Sequence, residues 1–571
     1  MSTTEISAEG RSTDGQPDPP TSHALTKDAP AGDSTILTNG ESQQDPKQES
    51  PAFQRNFSFW VVIVALCGVM VMASLENTVV VTSGPVIVAD LMMVDTYIWI
   101  SNAFFVTSAA VQPLFGQICD VFGRRWPMLF ATSLFILGSG ICGGATNGSM
   151  MIAGRAIQGS GSGGAVMLAH IILADIVPLR QRGYYLAILL SIFGIGLAVG
   201  PIVGGAFVDH ATWRWAFYVN LPFGGLTLVL LYLFLHVNYD RGTTVLQKLR
   251  RIDWLGNALI MAGTVSMLYA LAGAGVLHPW SSWETLVPLL LGLLGLLLFA
   301  AWETYGQRLA ADLVMPPHLF HHRTSWTVAV GTFFHWMLVY WSLYFVPVYF
   351  QAVLLYSAQY TGVAILPLTL VSIVGSILAA MAVSRWGRFK LIHIVGETVF
   401  AVGMGLFGLM GRTTTVAEWV LLQCLSALGG GMILDTLLPA FQAPVSESDQ
   451  AAATSTWTFI RTIGGVWGVA VPATIFNNRI DQLARRISDP AVAQLLMGGG
   501  GYEHATAAFV NSFDEPVRGQ VLDVYRDAMR LVFLSSVAFG GAAALLFSLE
   551  KDVKLREELE TDYGLRDKEK N

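Results

Sequence analysis

Four charged residues lie within long apolar stretches of this 571-residue chain, and they are its strongest candidates for chemistry: Glu76, Arg155, Glu397 and Arg461. A charge at the centre of a bilayer costs at least about 2.5–3.5 kcal/mol, so its presence indicates a function. Burial favours the protonated form of a carboxyl, whereas a nearby arginine favours the charged form. We therefore predict that Glu76 binds and releases a proton and that Arg155 tunes its affinity for the proton. A static ion pair between two helices is the alternative.

Polar and aromatic side chains within or at the ends of apolar stretches are candidates for a substrate cavity. The stretch 332–351 is dense in aromatic residues, which could stack on a flat substrate or form a belt at the membrane surface. Arg461 could also extend to the cytoplasmic interface. Asp435 is interpreted as a helix-end or loop contact. The predicted cavity residues are Gln112, Gln158, His335, Trp336, Glu397 and Arg461.

Composition indicates that most of the chain lies in lipid. Hydrophobic residues make up 53% and charged residues 13%, whereas soluble domains carry about 25% charged residues. The net charge of −7 argues against a nucleic-acid partner. The four cysteines show neither disulfide nor zinc spacing, and no phosphate-binding GK[ST] loop is found. We therefore expect no metal, no cofactor and no enzymatic activity.

A membrane-spanning helix needs about 20 mostly apolar residues, and fourteen such spans are predicted. They are 59–84, 97–118, 127–146, 150–173, 184–207, 215–237, 253–275, 284–303, 325–347, 360–383, 391–411, 416–438, 455–476 and 528–549. With the N-terminus inside, basic residues concentrate in the cytoplasmic loops, and the short outside loops carry little beyond Arg214 and Arg412. Both termini are therefore predicted to be cytoplasmic.

Internal similarity indicates two related halves. The segment 195–207 resembles 463–476, and 157–168 resembles 422–434, in spans that are eight apart. We predict an all-α membrane fold of two pseudo-symmetric six-helix halves with two inserted helices, an arrangement typical of transporters. The predicted regions are a disordered tail 1–57, a first half 58–237, a linker with two spans 238–324, a second half 325–550 with an outside loop 477–527, and a cytoplasmic tail 551–571.

Two glycine-containing motifs suggest moving parts. In GQICDVFGRR (116–125), a carboxylate and a guanidinium four residues apart could form a latch to a neighbouring helix. A simple basic anchor with a tight turn is the alternative. The predicted latch residues are Gly116, Asp120, Gly123, Arg124 and Arg125.

The second motif is GIGLAVGPIVGG (194–205), which would be costly in a water-soluble helix. In lipid, small residues allow helices to approach closely. We predict that its glycine face packs against a helix of the other half; ordinary helix packing is the alternative. The residues concerned are Gly196, Gly200, Pro201, Gly204 and Gly205.

Together these motifs resemble the major facilitator superfamily over residues 58–550. GRAIQGSGSGG (154–164) resembles its fourth-helix motif, and WRWAFYVNLP (213–222) and LENTVVVTSGP (75–85) resemble the fourteen-span drug:proton antiporters. The segment 441–471 resembles fungal members, and 194–205 resembles the motif associated with exporters. One residue departs from the pattern, since Glu76 stands where the family usually has aspartate.

The resemblance implies a proton-coupled exporter of a small amphipathic compound such as a fungal secondary metabolite, toxin or drug. An uptake carrier for siderophore-iron or basic amino acids is the alternative, and a membrane sensor without transport is a third. The expected partners are the substrate, protons and the lipid bilayer. We expect a monomer in the plasma membrane, with a vacuolar or endosomal membrane as the alternative.

Overall fold

The computed structural model describes residues 56–93, 99–236, 244–274, 278–306, 313–446, 449–553 and 555. The predicted N-terminal tail 1–57 lies almost wholly outside these ranges, as does most of the predicted C-terminal tail 551–571. The side chain of Pro201 also lies outside the described residues.

Fourteen long helical segments occupy the described ranges, and each coincides with one predicted span. They are α1 Phe57–Leu91, α2 Trp99–Phe122, α3 Arg125–Gly143, α4 Gly148–Ile176, α5 Leu179–His210, α6 Trp215–Phe234, α7 Trp254–Gly273, α8 Trp283–Tyr305, α9 Arg323–Ala352, α10 Leu366–Trp386, α11 Lys390–Leu406, α12 Val416–Leu434, α13 Gln450–Ala484 and α14 Val517–Ser548. By length and composition, all but α2 and α5 are apolar enough to cross a membrane.

Local capping explains where several of these helices begin and end. The side chain of Asn147 accepts a hydrogen bond from the Met150 amide (2.9 Å), which starts α4 immediately after the short turn that follows α3. Thr415 and Glu418 form a reciprocal capping box at the start of α12. Gly387, with a φ of 67°, ends α10 in the left-handed conformation that glycine adopts without strain. These capping residues mark the boundaries between adjacent helices, which a hydropathy profile alone does not resolve.

The packing of the helices repeats between the two halves. In the first half α1 packs on α5, while α2 and α3 pack on α4. In the second half α9 packs on α13, while α10 and α11 pack on α12. Each pair in one half therefore has a counterpart eight helices away in the other. The halves meet where α5 packs on α10 and where α2 and α4 pack on α13.

The two inserted helices pack on each other and cover one of the seams between the halves. Close approach of α7 and α8 depends on glycine, since a Cβ on Gly263 would lie 3.0 Å from the Leu296 amide nitrogen. Apolar residues of α7 contact α2 and α13, and the Asn257 amide donates to Gln117 of α2 (2.7 Å). The inserted pair therefore stands beside the two halves and outside the repeat.

Short helices between α13 and α14 fold over the ends of the second half. The segment 485–516 packs through Leu496 and Val510 against a cluster that includes Phe345 of α9 and Tyr525 of α14. Both flanking helices extend into the predicted outside loop 477–527, because α13 continues to Ala484 and α14 begins at Val517. A count of apolar residues does not predict these extensions, because the last turns of α13 and the first turns of α14 contain charged residues.

Candidate functional site

A buried ion pair joins α1 and α4 inside the first half. Arg155 donates to Oε1 of Glu76, and the Asn220 side chain of α6 donates to Oε2 (2.6 Å). All three side chains are buried, with Glu76 fully so. Both carboxylate oxygens are therefore occupied, and the charge of one residue compensates that of the other in a region of low dielectric.

Arg155 has further contacts that do not involve Glu76. Its Nε donates to the Ile100 carbonyl (2.7 Å), and Nη1 also donates to the Gln158 side chain (2.7 Å). Its guanidinium lies 4.4 Å from the centre of the Phe104 ring, within the range of a cation–π contact. The arginine can therefore keep its position when the carboxylate loses its charge.

The predicted latch residues come together at the end of the bundle that carries the loops after α2, α4 and α10, which we call the basic end. Arg124 donates to Asp120 (2.9 Å) and to Asp175 at the end of α4 (2.7 Å). Gly123 has a φ of 80°, so the turn before α3 requires glycine. Arg125 donates to the Tyr232 carbonyl of α6 (2.6 Å). These contacts tie α2, α3, α4 and α6 within the first half.

The first residue of the latch motif lies at the contact between the halves. A Cβ on Gly116 of α2 would lie 2.7 Å from Cβ of Ser455 on α13. This is closer than real Cβ atoms approach, so a larger residue at this position would push the two halves apart at the basic end.

Two more arginines connect the halves at the basic end. Arg180, in the first turn of α5, donates to the carbonyls of Ser384 (2.5 Å) and Arg385 (2.8 Å) at the end of α10. The unsatisfied carbonyls of a helix C-terminus are a favourable site for a cation. Arg182 is buried and donates to Gln442 (2.5 Å) and Gln450 (2.8 Å) of the second half. The sequence analysis did not single out these residues.

The glycine face of α5 lies against α1. A Cβ on Gly196 would overlap Oγ of Ser74, and one on Gly200 would overlap Oγ1 of Thr78. The prediction that this face packs on a helix of the other half is therefore wrong, since α1 belongs to the same half. The spacing of small residues identifies a packing face but not the helix that covers it. Gly204 is also buried, whereas a Cβ on Gly205 would have no neighbour within 4 Å among the described residues.

A cavity of about 150 Å³ lies between the halves, enclosed by α5, α9, α10, α11 and α12. Its wall is largely apolar and contains Phe193, Trp336, Tyr340 and Phe400. Several serine hydroxyls and the carboxyl of Asp435 also face it. The cavity therefore combines aromatic surfaces with few polar groups, as is usual for small-molecule sites.

Of the six predicted cavity residues, Trp336 lies in the wall and the other five lie elsewhere. His335 contacts Glu397 within the second half (Nδ1 to Oε2, 2.8 Å), and both are fully buried. Gln112 accepts from Thr462 of α13 (3.1 Å), and Gln158 belongs to the Arg155 network. Arg461 stacks on the Trp336 ring at 4.0 Å and is buried, so it does not extend to the interface.

Two contributors were not predicted from sequence. Asn220 lies in the quoted stretch WRWAFYVNLP, and its position as a lone amide in an apolar run was a usable signal. Asp435 was interpreted as a helix-end or loop contact; it lies at the end of α12, and its carboxyl also faces the cavity. The sequence shows that Asp435 lies near the end of a span, but it does not show the direction in which the side chain points.

Comparisons with known proteins agree with this architecture. The family model described as Major Facilitator Superfamily matches residues 64–469. The "MFS-type transporter TwmF" of Talaromyces wortmannii is 49% identical over 530 residues, which cover 92% of this chain and 96% of that protein. The "MFS efflux transporter aclA" of Aspergillus oryzae is 42% identical over 531 residues, covering 93% of this chain and 96% of that protein.

Solved structures show the same fold at low sequence identity. The human organic anion transporter MFSD10 superposes with a TM-score of 0.55 at 15% identity, covering 86% of this chain and 99% of that one. The proton:xylose symporter XylE gives a TM-score of 0.55 at 15% identity, covering 88% and 98%. With two matching halves, a cavity between them and near full-length relatives, the chain belongs to the major facilitator superfamily.

Proposed function

We propose that the chain is a proton-coupled efflux transporter that exports a small amphipathic organic compound by alternating access. The observation that carries the proposal is the buried Glu76–Arg155 pair in the first half, whose helix α5 lines the cavity between the halves. Buried ionisable residues in membrane helices mark substrate or proton pathways. The names of the relatives, which include efflux transporters and efflux pumps, support the direction of transport.

The contacts between the halves suggest how access alternates. In this structure Arg180 and Arg182 form hydrogen bonds between the halves at the basic end, and Gly116 allows the halves to approach closely there. Opening the cavity to that side requires these contacts to break while the helices within each half stay packed. The latch around Arg124 keeps the first half intact during that movement, and rigid halves rocking about a central site are the usual mechanism of such folds.

The proton step follows from the partners of Glu76. A proton on Oε1 would remove the attraction to Arg155, which can keep its contacts to Gln158 and Ile100. The loss of this attraction would then weaken the tie between α1 and α4. Binding and loss of the proton would in this way favour different arrangements of the first half.

The remaining assignments complete the proposal. The basic end faces the cytoplasm, because basic loops remain inside, and both termini lie there. The segment 485–516 then lies outside the cell. The transporter works as a monomer in the plasma membrane. The two halves, the linker with the two inserted spans (238–324) and the two tails have the bounds given in the sequence analysis. Its energy source is the proton gradient, without a cofactor or catalytic reaction.

Efflux measurements in intact yeast test the proposal. Cells that express the chain are loaded with 4-methylumbelliferone or Nile red, which are largely neutral near pH 7, and export is followed with and without a protonophore. We expect export that the protonophore abolishes and that Glu76→Gln removes. Glu303→Gln is a matched control, because Glu303 is also a buried carboxyl but lies in α8, outside both halves. Accumulation of dye would contradict export and indicate uptake, and export by Glu76→Gln at the unmodified rate would contradict the coupling site.

A further inference from the structure

One carboxyl in the cavity wall has an unused hydrogen-bond acceptor. Asp435 follows α12 and is only 1% exposed. The Ser376 hydroxyl donates to its Oδ2, whereas its Oδ1 has no hydrogen-bond partner among the described residues. A buried carboxyl oxygen without a donor is costly, so a group that fills the cavity would gain by donating to it.

The rest of the described wall offers little that could replace Asp435. It carries no other carboxylate, and hydroxyls such as those of Ser342 and Ser372 already donate to carbonyls of their own helices. The hydroxyls of Ser191 and Ser426 are unpaired among the described residues and could add weaker contacts. Asp435 is therefore the strongest acceptor that a bound molecule would meet.

Arg461 lies beside the same wall of the cavity. Its guanidinium is 4.0 Å from the centre of the Trp336 ring, and both Trp336 and Asp435 line the cavity. A cationic ligand would leave this buried region with a net positive charge. A neutral donor can form the hydrogen bond without that cost.

We propose that Asp435 is the polar anchor of the cavity and binds an O–H or N–H donor on a neutral compound whose ring lies among Trp336, Tyr340 and Phe400. The inference rests on the proposed function and specifies the substrate class of that site. An apolar cavity of about 150 Å³ accommodates a benzene-sized group, so the anchored part of the substrate is a single ring that carries the donor.

Equilibrium binding to the full chain in lipid nanodiscs tests the inference. Tritiated 4-butylphenol is the probe, and binding to empty nanodiscs is subtracted. Unlabelled 4-butylanisole, which lacks the donor, and 4-butylbenzylammonium, which is cationic, serve as competitors. We expect saturable binding of the phenol, with both competitors at least about tenfold weaker, because a hydrogen bond to a charged group contributes about 10- to 100-fold in affinity.

Variants then assign the donor site to Asp435. Asp435→Leu removes both acceptors and keeps the branched shape, and it should raise the dissociation constant of 4-butylphenol about 10- to 100-fold. Asp435→Asn retains shape and one neutral acceptor, so it should give a smaller loss and serves if the leucine variant does not fold. Ser372→Ala, which alters another wall hydroxyl, should change affinity less than about twofold.

Several outcomes would overturn the inference. They are absence of saturable phenol binding, equal competition by the anisole, tighter competition by the ammonium compound, or unchanged affinity in both Asp435 variants. The assay uses no proton gradient, so it fails independently of the efflux test. Phenol binding that depends on Asp435 in a chain that does not export would support the anchor and contradict the proposed function.

Discussion

At the scale of residues, substitutions can separate the structural contribution of the Glu76–Arg155 pair from the role in proton coupling that we propose for Glu76. Removing one partner of a buried pair leaves an uncompensated charge, which costs about 3–5 kcal/mol, whereas neutralising both is far less costly. We expect Arg155→Gln to lower the free energy of unfolding by about that amount. The double variant Glu76→Gln/Arg155→Gln should recover at least half of the loss. Thermal unfolding of the purified chain measures both.

A surface arginine supplies the control for this cycle. Arg486 is 69% exposed in its side chain and lies 4.0 Å from Asp527, so Arg486→Gln should change stability by less than about 1 kcal/mol. The recovered double variant should still lack protonophore-sensitive export, because no carboxyl remains at position 76. Strictly additive losses of stability in the two single variants would show that the pair contributes no coupling energy.

A second residue-scale prediction concerns the length of the side chain at position 76. Aspartate, which the resembled family usually has there, is one methylene shorter and cannot hold both Arg155 and Asn220 in their present places. We expect Glu76→Asp to reduce the export rate about 10- to 100-fold, the cost of one hydrogen bond to a charged group. Protonophore sensitivity should remain, because the carboxyl is retained. Rates equal to those of the unmodified chain in the dye-efflux assay would contradict the geometric argument.

At the scale of helices, the sequence predicted the positions of the helices and their packing faces well, but it predicted poorly which helices contact each other. The fourteen helices were predictable because each contains a local run of largely apolar residues. The pairing of Glu76 with Arg155 was predictable from two lone charges in apolar stretches and from the resemblance. His335 and Glu397 are 62 residues apart in the sequence and lie on different helices, so no local pattern predicts their contact. Asp435 lies at the end of α12, as the sequence indicated, but its place in the cavity wall depends on the direction of its side chain, which the sequence does not show.

The corrected contact between α1 and α5 gives a prediction for a whole helix face. A Cβ at Gly200 would collide with Thr78 and lie 3.0 Å from the Leu75 carbonyl oxygen. We expect Gly200→Ala to destabilise the chain by about 1–3 kcal/mol through overpacking, and to reduce dye export because α1 carries Glu76. Thermal unfolding and the dye-efflux assay measure the two effects.

Gly205 of the same motif provides the matched control. A Cβ there would have no neighbour within 4 Å among the described residues. Gly205→Ala should therefore be neutral or stabilise the helix by up to about 1 kcal/mol, since alanine is the better helix former. Equal effects of the two substitutions would show that helix propensity, and not contact with α1, determines the role of the motif.

At the scale of the whole molecule, alternating access requires the contact between α5 and α10 at the basic end to open in every cycle. A Cβ on Gly183 would lie 3.7 Å from Cβ of Ala380, within the 3.5–4.5 Å that a disulfide requires. Both positions are buried and belong to different halves. A covalent bond between them would hold the halves together at the end where Arg180 already binds the carbonyls of α10.

We therefore expect Gly183→Cys/Ala380→Cys to form a disulfide under oxidising conditions and to stop dye export, with recovery after reduction. The background should carry Cys67→Ala and Cys424→Ala, because these two native thiols are the less buried of the four. Each single cysteine should export normally with or without oxidant. Full export by the oxidised double variant, with the disulfide verified by mass spectrometry, would mean that the halves do not separate at this contact. The movement would then have to occur within the halves, and the repeated packing of α1 on α5 and α9 on α13 would have to give way instead.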